Sequence, residues 1–261
     1  MALIHMHFYS AALGSAEEVN IILPENSKGA QPLGAPAETC KTLWLLHGLN
    51  GDHNSWIRET AIERYLKDGG YNIAVVMPNV NRSWYTDTCD NVKYFTYITE
   101  ELPAILRSYF KCMTDKREDN YIAGLSMGGY GAVKAALTYP ERYAAFASLS
   151  GSLDITRRGR SINIPEWRRV FKAGLQSGEE LDKTPHDLFW LAEKNINAGV
   201  SLPRYYQWCG VDDELIKVNR RFHEHLTRLG FDHVCEEGPG DHTWKWWDEH
   251  IIDVLRFMFS E

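Results

Sequence analysis

A membrane-spanning helix needs about 18 or more consecutive apolar residues, and nothing in the 261-residue chain comes near that length. Its longest apolar stretches are strand-sized, such as Ile73–Met77. Basic charge is scarce too. Lys and Arg number 28 against 35 Asp and Glu, for a formal charge of -7, so no broad positive field exists to draw nucleic acid or an anionic membrane. The densest basic stretch, Arg157-Arg158-Gly159-Arg160 with Arg168-Arg169 beyond it, reads as a solvated loop and helix face. Cysteines are few: Cys40, Cys89, Cys112, Cys209 and Cys235 form an odd set with no C-x-x-C pair. That argues against a disulfide framework or a zinc knuckle. The start, MALIHMHFYSAALG, lacks a basic n-region and a long apolar stretch, so a cytoplasmic, reducing location is expected.

What is present is an ordinary globular mix, 44% hydrophobic and 24% charged, which excludes wholesale disorder, collagen and coiled coil. Leu3–Tyr9 and Glu18–Leu23 read as strands, and Asn26–Glu38, rich in glycine, proline and alanine, as a loop. From Thr42 onward strand and helix alternate. Strands are expected at Thr42–Leu46, Asn72–Met77, Tyr121–Leu125, Tyr143–Leu149, Arg204–Trp208 and His233–Glu236. Helices are expected at Asn54–Lys67, at Val92–Phe110 with a kink at Pro103, at Met127–Thr138, Glu214–Leu229 and Trp244–Phe259. Repeated βα units demand an α/β fold with a mostly parallel sheet and helices on both faces. Between about 152 and 200 the rhythm stops, yet Trp167, Phe171, Leu188, Phe189, Trp190 and Leu191 are too apolar for a linker. That stretch reads as a small helical, cap-like insertion in a single domain over 1–261.

The chemistry centres on Gly124-Leu125-Ser126-Met127-Gly128, where a strand runs into the serine and a helix leaves it. This is the strand–turn–helix setting of a nucleophile elbow, whose sharp turn requires small neighbours. A serine hydroxyl needs a base, and the base an orienting carboxylate, here in the chain order Ser, acid, His. Among ten histidines, His242 lies in a loop between the last strand and the last helix, where the base belongs. His233 opens a strand, and His223, His225 and His250 lie within helical segments, as packing or surface residues. The acid falls in Asp212-Asp213-Glu214, and pattern alone does not choose among the three. An oxyanion hole needs two backbone N–H groups. Met127 follows the nucleophile, and Leu49 in His47-Gly48-Leu49-Asn50-Gly51 is the second candidate; His47 reads as structural. Trp84 and Tyr85, in a loop after a strand end, are candidates for lining the substrate pocket. Trp244 is a candidate shield for His242, with Trp246 and Trp247 in the core. Cys89 and Cys209 flank the region as unreactive thiols. His5 and His7 share one strand face with no third ligand nearby in sequence, so no metal site is expected.

Taken together, Leu45–Trp56 (LLHGLNGDHNSW), Arg82–Asp87 (RSWYTD), Glu100–Pro103 (EELP), Gly124–Ala132 (GLSMGGYGA), Cys209–Asp213 (CGVDD) and His242–Trp244 (HTW) resemble the esterase D-like branch of the α/β-hydrolases. The likeness is greatest to its bacterial tributyrin esterase/acetyl esterase group and spans nearly the whole chain. It implies the α/β-hydrolase fold, Asp213 as the acid through the pattern Gly-x-x-Asp, a triad of Ser126, Asp213 and His242, oxyanion donors Leu49 and Met127, and short acyl esters as substrates. No metal or organic cofactor is implied. One departure, Cys89-Asp90 where related proteins carry an aromatic-glycine pair, bears on the pocket shape. The expected activity is a serine carboxylesterase acting on a small-molecule ester, from acetyl to butyryl. A feruloyl or acetyl-xylan esterase, an S-formylglutathione-hydrolase-like thioesterase and a non-catalytic binding module are the alternatives. A homo-oligomer is compatible with the apolar insertion.

Overall fold

The computed structural model describes residues 1–25, 38–156, 170–171 and 181–260. The arginines at 157, 158, 160, 168 and 169, Trp167, and most of the expected loop at 26–38 lie outside the described residues. Among the described residues eight strands form one sheet: β1 (Ala2–Ser10), β2 (Ser15–Leu23), β3 (Lys41–Leu46), β4 (Ile73–Pro78), β5 (Asn120–Leu125), β6 (Ala145–Leu149), β7 (Arg204–Gly210) and β8 (Val234–Gly238). Their order is β1-β2-β4-β3-β5-β6-β7-β8. β1 pairs antiparallel with β2, and β2 with β4; every later neighbour pairs parallel. Parallel β3 to β7 read as near-continuous apolar runs because both of their faces are covered.

The period-2 alternation of these strands sorts their side chains into two cores. Trp44, Leu46, Ile122, Phe146 and Tyr205 face one side. There they meet α3 (Leu102–Tyr109), α4 (Met127–Thr138), α5 (Leu188–Asn197) and α6 (Ile216–Arg228). Leu43, Leu45, Tyr121, Ala123 and Tyr206 face the other, under α1 (Ser55–Glu59), α2 (Ile62–Asp68) and α7 (Trp244–Phe259).

Two helices differ from expectation for tertiary reasons. The stretch expected as one helix at 54–67 is two, because Thr60 is extended and the Ala61 N–H donates to Asp248 Oδ1 of α7 at 2.8 Å. The 92–110 segment begins with a turn at Tyr94–Thr96 and a π-turn at Tyr97–Glu101 before α3. Pro103 has no N–H for Thr99 O, and Arg142 Nη1 supplies the hydrogen bond instead at 2.8 Å. Within the 152–200 stretch, α5 starts on an Asp187 cap, whose Oδ1 accepts from Trp190 N–H at 3.1 Å. It docks on α4 through Asn195 Nδ2 donating to Leu137 O at 2.7 Å. Among the described residues no helix is long and apolar enough to cross a membrane.

Candidate active site

The site assembles at the carboxyl ends of the parallel strands, where an open α/β sheet offers its crevice. β5 delivers Ser126 directly into α4, and the turn is so sharp that Ser126 takes φ 54°, ψ -116°. A non-glycine residue there is strained by about 1 kcal/mol or more. Its N–H donates to Leu149 O at 3.0 Å, and its O accepts from Tyr130 and Ser152 N–H, so backbone from β6 and α4 holds the strained turn. Close approach is the second requirement. A Cβ on Gly128 would sit 2.4 Å from Leu46 O and 2.7 Å from His47 O. Both are backbone atoms at the root of the Leu49 loop. Gly128→Ala is therefore expected to cost about 1–3 kcal/mol of stability and to lower kcat by displacing that loop; urea unfolding and initial rates check it.

His242 spans the gap between the other two groups. Its Nε2 is 3.0 Å from Ser126 Oγ and its Nδ1 is 2.9 Å from Asp213 Oδ2. The Asp213 side chain is wholly buried while the imidazole is about a quarter exposed, 0% against 26%. Asp213 Oδ1 accepts the Leu215 N–H at 2.7 Å. Burial pushes the Asp213 carboxyl up, but the hydrogen bonds from His242, Leu215 and Ser150 outweigh it and hold the group below its usual range. Of the three adjacent carboxylates, Asp213 alone is buried; Asp212 and Glu214 are exposed. The loops that carry Asp213 and His242 are tied by Asp212 N–H donating to Gly240 O at 2.9 Å and Val211 N–H to Gly238 O at 2.9 Å.

His47 organises the loop after β3. Its Nε2 accepts from Val80 N–H at 3.1 Å, so Nδ1–H donates to Gly48 O at 2.7 Å. Burial lowers its pKa to about 4, and the ring is neutral. Gly48 O also accepts from Gly51 N–H at 3.1 Å. A trans peptide sends its N–H opposite to its C=O, so the Leu49 N–H is turned away from His47. The Met127 N–H, first in α4, has no acceptor within its own helix.

These groups border a cleft of about 750 Å³, lined among others by Leu49, Leu125, Ser126, His242, Trp244 and Trp247. Trp247, expected only in the core, meets the His242 ring edge-on at 4.9 Å and donates from Nε1 to Ser150 Oγ at 3.1 Å. Trp244 lines the cleft and packs edge-on against Trp56 and Trp247. The sequence signal for Trp247 is its place in the first turn after His242, one helical turn from Trp244.

Trp84 and Tyr85 are not on the cleft wall. Both are buried, at 2% and 0% exposure, and both have positive φ, 55° and 49°. Two successive left-handed residues swing the rings inward, and Tyr85 lies where a side chain at Gly131 would be, 2.5 Å from its ideal Cβ. Tyr85 Oη donates to His47 O at 2.9 Å, so the residue supports the Leu49 loop from below. Cys209 is buried inside β7, where burial raises its thiol pKa, and Cys89 is exposed. The other histidines of the last strand and helices lie elsewhere: His223 pairs with His233 at 2.8 Å, His225 contacts Phe189 O, and His250 stacks on Trp208.

A serine, a partly exposed imidazole and a buried carboxylate in one hydrogen-bonded line can carry a proton off the hydroxyl and return it to a leaving group. Comparison with known proteins agrees with that chemistry. The esterase family described as "Putative esterase" matches residues 10–258. The chain belongs to this esterase family. An acetyl esterase from Caldicellulosiruptor saccharolyticus is 32% identical over 268 residues, covering 99% of this chain and 98% of its own. Among solved structures, the substrate-bound Staphylococcus aureus fluorophosphonate-binding serine hydrolase FphF is similar with TM-score 0.87 at 31% identity, over 100% of this chain and 99% of that one. The S-formylglutathione hydrolase FrmB of the same organism gives TM-score 0.86 at 31% identity, over 98% of each chain. The fold is that of the α/β-hydrolases, and this esterase is an ester hydrolase of the serine class.

Proposed function

We propose that the esterase hydrolyses short-chain acyl esters, from acetyl to butyryl, through an acyl-enzyme on Ser126. His242 takes the Ser126 proton as Oγ attacks the ester carbonyl. Asp213 holds the imidazole with Nδ1–H toward itself and stabilises the imidazolium. The N–H groups of Leu49 and Met127 receive the oxyanion. Collapse of the tetrahedral intermediate breaks the bond to the alcohol, which leaves with the proton from His242. Water, deprotonated by His242, then releases the acid and restores Ser126. The observation that carries the reading is the continuous Ser126–His242–Asp213 hydrogen-bond line, 3.0 and 2.9 Å, opening on the cleft. Full-length similarity to an acetyl esterase supports the short acyl group. The catalytic unit is one domain over 1–261, and the five free thiols suit a cytoplasmic setting.

A p-nitrophenyl ester series from acetyl to dodecanoyl tests the substrate class. The expected kcat/KM is highest for acetyl or butyryl and lower by at least about tenfold for octanoyl. A rise with chain length would overturn the short-acyl assignment and leave the mechanism standing. Similarity to FrmB favours one second reading, a thioester hydrolase with the same acyl-enzyme; a kcat/KM for an S-acylglutathione far above that for the matched oxygen ester would establish it.

A further inference from the structure

We infer that His5, Glu18 and His53 form a binding site for a divalent transition-metal cation of the zinc class, separate from the cleft. The three side chains come from β1, from β2 and from the loop after β3. Their ligand atoms all lie within 4.8 Å of one another. His5 pairs with Asn20 across the β1–β2 ladder, and Glu18, two residues before Asn20, shares that sheet face. His5 Nε2 is 3.3 Å from Glu18 Oε1, and His53 Nε2 is 3.8 Å from Glu18 Oε2. Donors about 2.0–2.1 Å from a tetrahedral zinc lie about 3.3 Å apart. The first pair already has that spacing, and the second is half an ångström wider.

The hydrogen bonds around the cluster fix which ring nitrogens carry lone pairs. Asn20, buried, donates from Nδ2 to His53 O at 3.0 Å and to Asn54 Oδ1 at 2.8 Å. Its Oδ1 must therefore face His5, and it accepts from His5 Nδ1–H at 2.9 Å. The lone pair of His5 is thus on Nε2, aimed at the Glu18 carboxylate. Asn54, whose Oδ1 is taken by Asn20, donates from Nδ2 to His53 Nε2 at 3.0 Å. That puts the lone pair of His53 on Nε2 and its proton on Nδ1, a buried atom with no hydrogen-bond partner. The His5 lone pair and the Glu18 carboxylate face each other across 3.3 Å, an arrangement that repels unless a cation lies between them, and His53 Nε2, held by the Asn54 amide, stands 3.8 Å from the same carboxylate.

Other features match a metal site. The Asn20 carbonyl oxygen on His5 Nδ1–H is the outer partner that orients a ligating imidazole. The Asn54 amide can yield His53 Nε2 because a second acceptor, Asp52 Oδ2, stands 3.4 Å away. His5 and Glu18 are half exposed, so an ion can enter and their side chains can close on it. Two imidazoles and one carboxylate suit a borderline ion better than calcium or magnesium. His53 lies four residues beyond Leu49, so a bound ion would clamp the oxyanion loop to the β1–β2 hairpin.

Zinc titration into the full-length protein at neutral pH, against a chromophoric chelator, tests the site. One equivalent is expected to bind, to raise Tm, and to weaken at least about tenfold in His5→Ala and in Glu18→Gln. Both replaced side chains are half exposed, so the variants are expected to fold. Their metal-free Tm and metal-free ester hydrolysis should equal those of the wild type. Failure of the wild type to bind zinc would mean that only a proton fills the gap and would overturn the proposal. Undiminished binding in both variants, or loss of binding in His242→Ala alone, would put the ion elsewhere and overturn it equally.

Discussion

Ser126→Ala is expected to lower kcat for p-nitrophenyl acetate by about six orders of magnitude, as removal of a serine nucleophile does in other triads. The reason is specific to the hydroxyl. Oγ is the atom 3.0 Å from His242 Nε2. Residual turnover about 10³–10⁴ above the uncatalysed rate should persist, because the N–H groups of Leu49 and Met127 remain. Stability should change little, by about 1 kcal/mol or less. Alanine bears the same strained φ of 54° as serine does, and the backbone bonds to Leu149, Tyr130 and Ser152 are untouched. A fluorophosphonate probe gives an independent readout: its mass should add to the Ser126 peptide of the wild type and to nothing in the variant. A variant that kept a tenth of its activity, or still took the label, would place the nucleophile elsewhere.

Asp213→Asn is expected to cost about 10⁴ in kcat with the fold intact. Asp213 Oδ2 accepts the His242 Nδ1 proton. An asparagine can instead turn its NH₂ toward Nδ1. The ring then carries its proton on Nε2 and points a donor, not an acceptor, at Ser126. The other contact survives, because an amide oxygen can still accept the Leu215 N–H. The pH dependence of stability gives a second check. The folded Asp213 carboxyl lies below its ordinary value. Its stabilising contribution is therefore complete above the unfolded value of about 3.9 and is lost as pH falls through the lowered folded one. Asparagine has no such dependence, so the stability of wild type relative to variant should fall over that acid range. Denaturant midpoints for both proteins across it would show whether it does.

How far the site could be read along the chain depended on how local its parts are. Ser126 and Met127 occupy consecutive positions between a strand and a helix, and glycines crowd them within a few residues. Such a turn is written in one short stretch, as is the loop that holds His242. Asp213 was less legible, since three carboxylates stand together, and only the fold shows which is turned inward. Trp84 and Tyr85 followed a strand end and looked like pocket walls. Their positive φ values and the space over Gly131 carry both rings into the core, and neither feature has a period or a motif to announce it. The helix break at Thr60 was equally hidden, because the group that captures the Ala61 N–H, Asp248, lies far along the chain.

By itself the sequence determined the βα alternation, the mostly parallel sheet, the elbow at Ser126 and the order of the reactive groups, all of which rest on neighbours a few residues apart. The tertiary structure alone decided the partners that come from distant segments. It set the 2.9 and 3.0 Å spacings of the line, Trp247 against His242, Tyr85 beneath His47, and His53 brought to His5 and Glu18. Hydrophobic periodicity specifies which face of a strand is buried but not which distant side chain meets it. Those meetings are fixed only when the sheet order and the packed loops place their backbones within a few ångströms of each other.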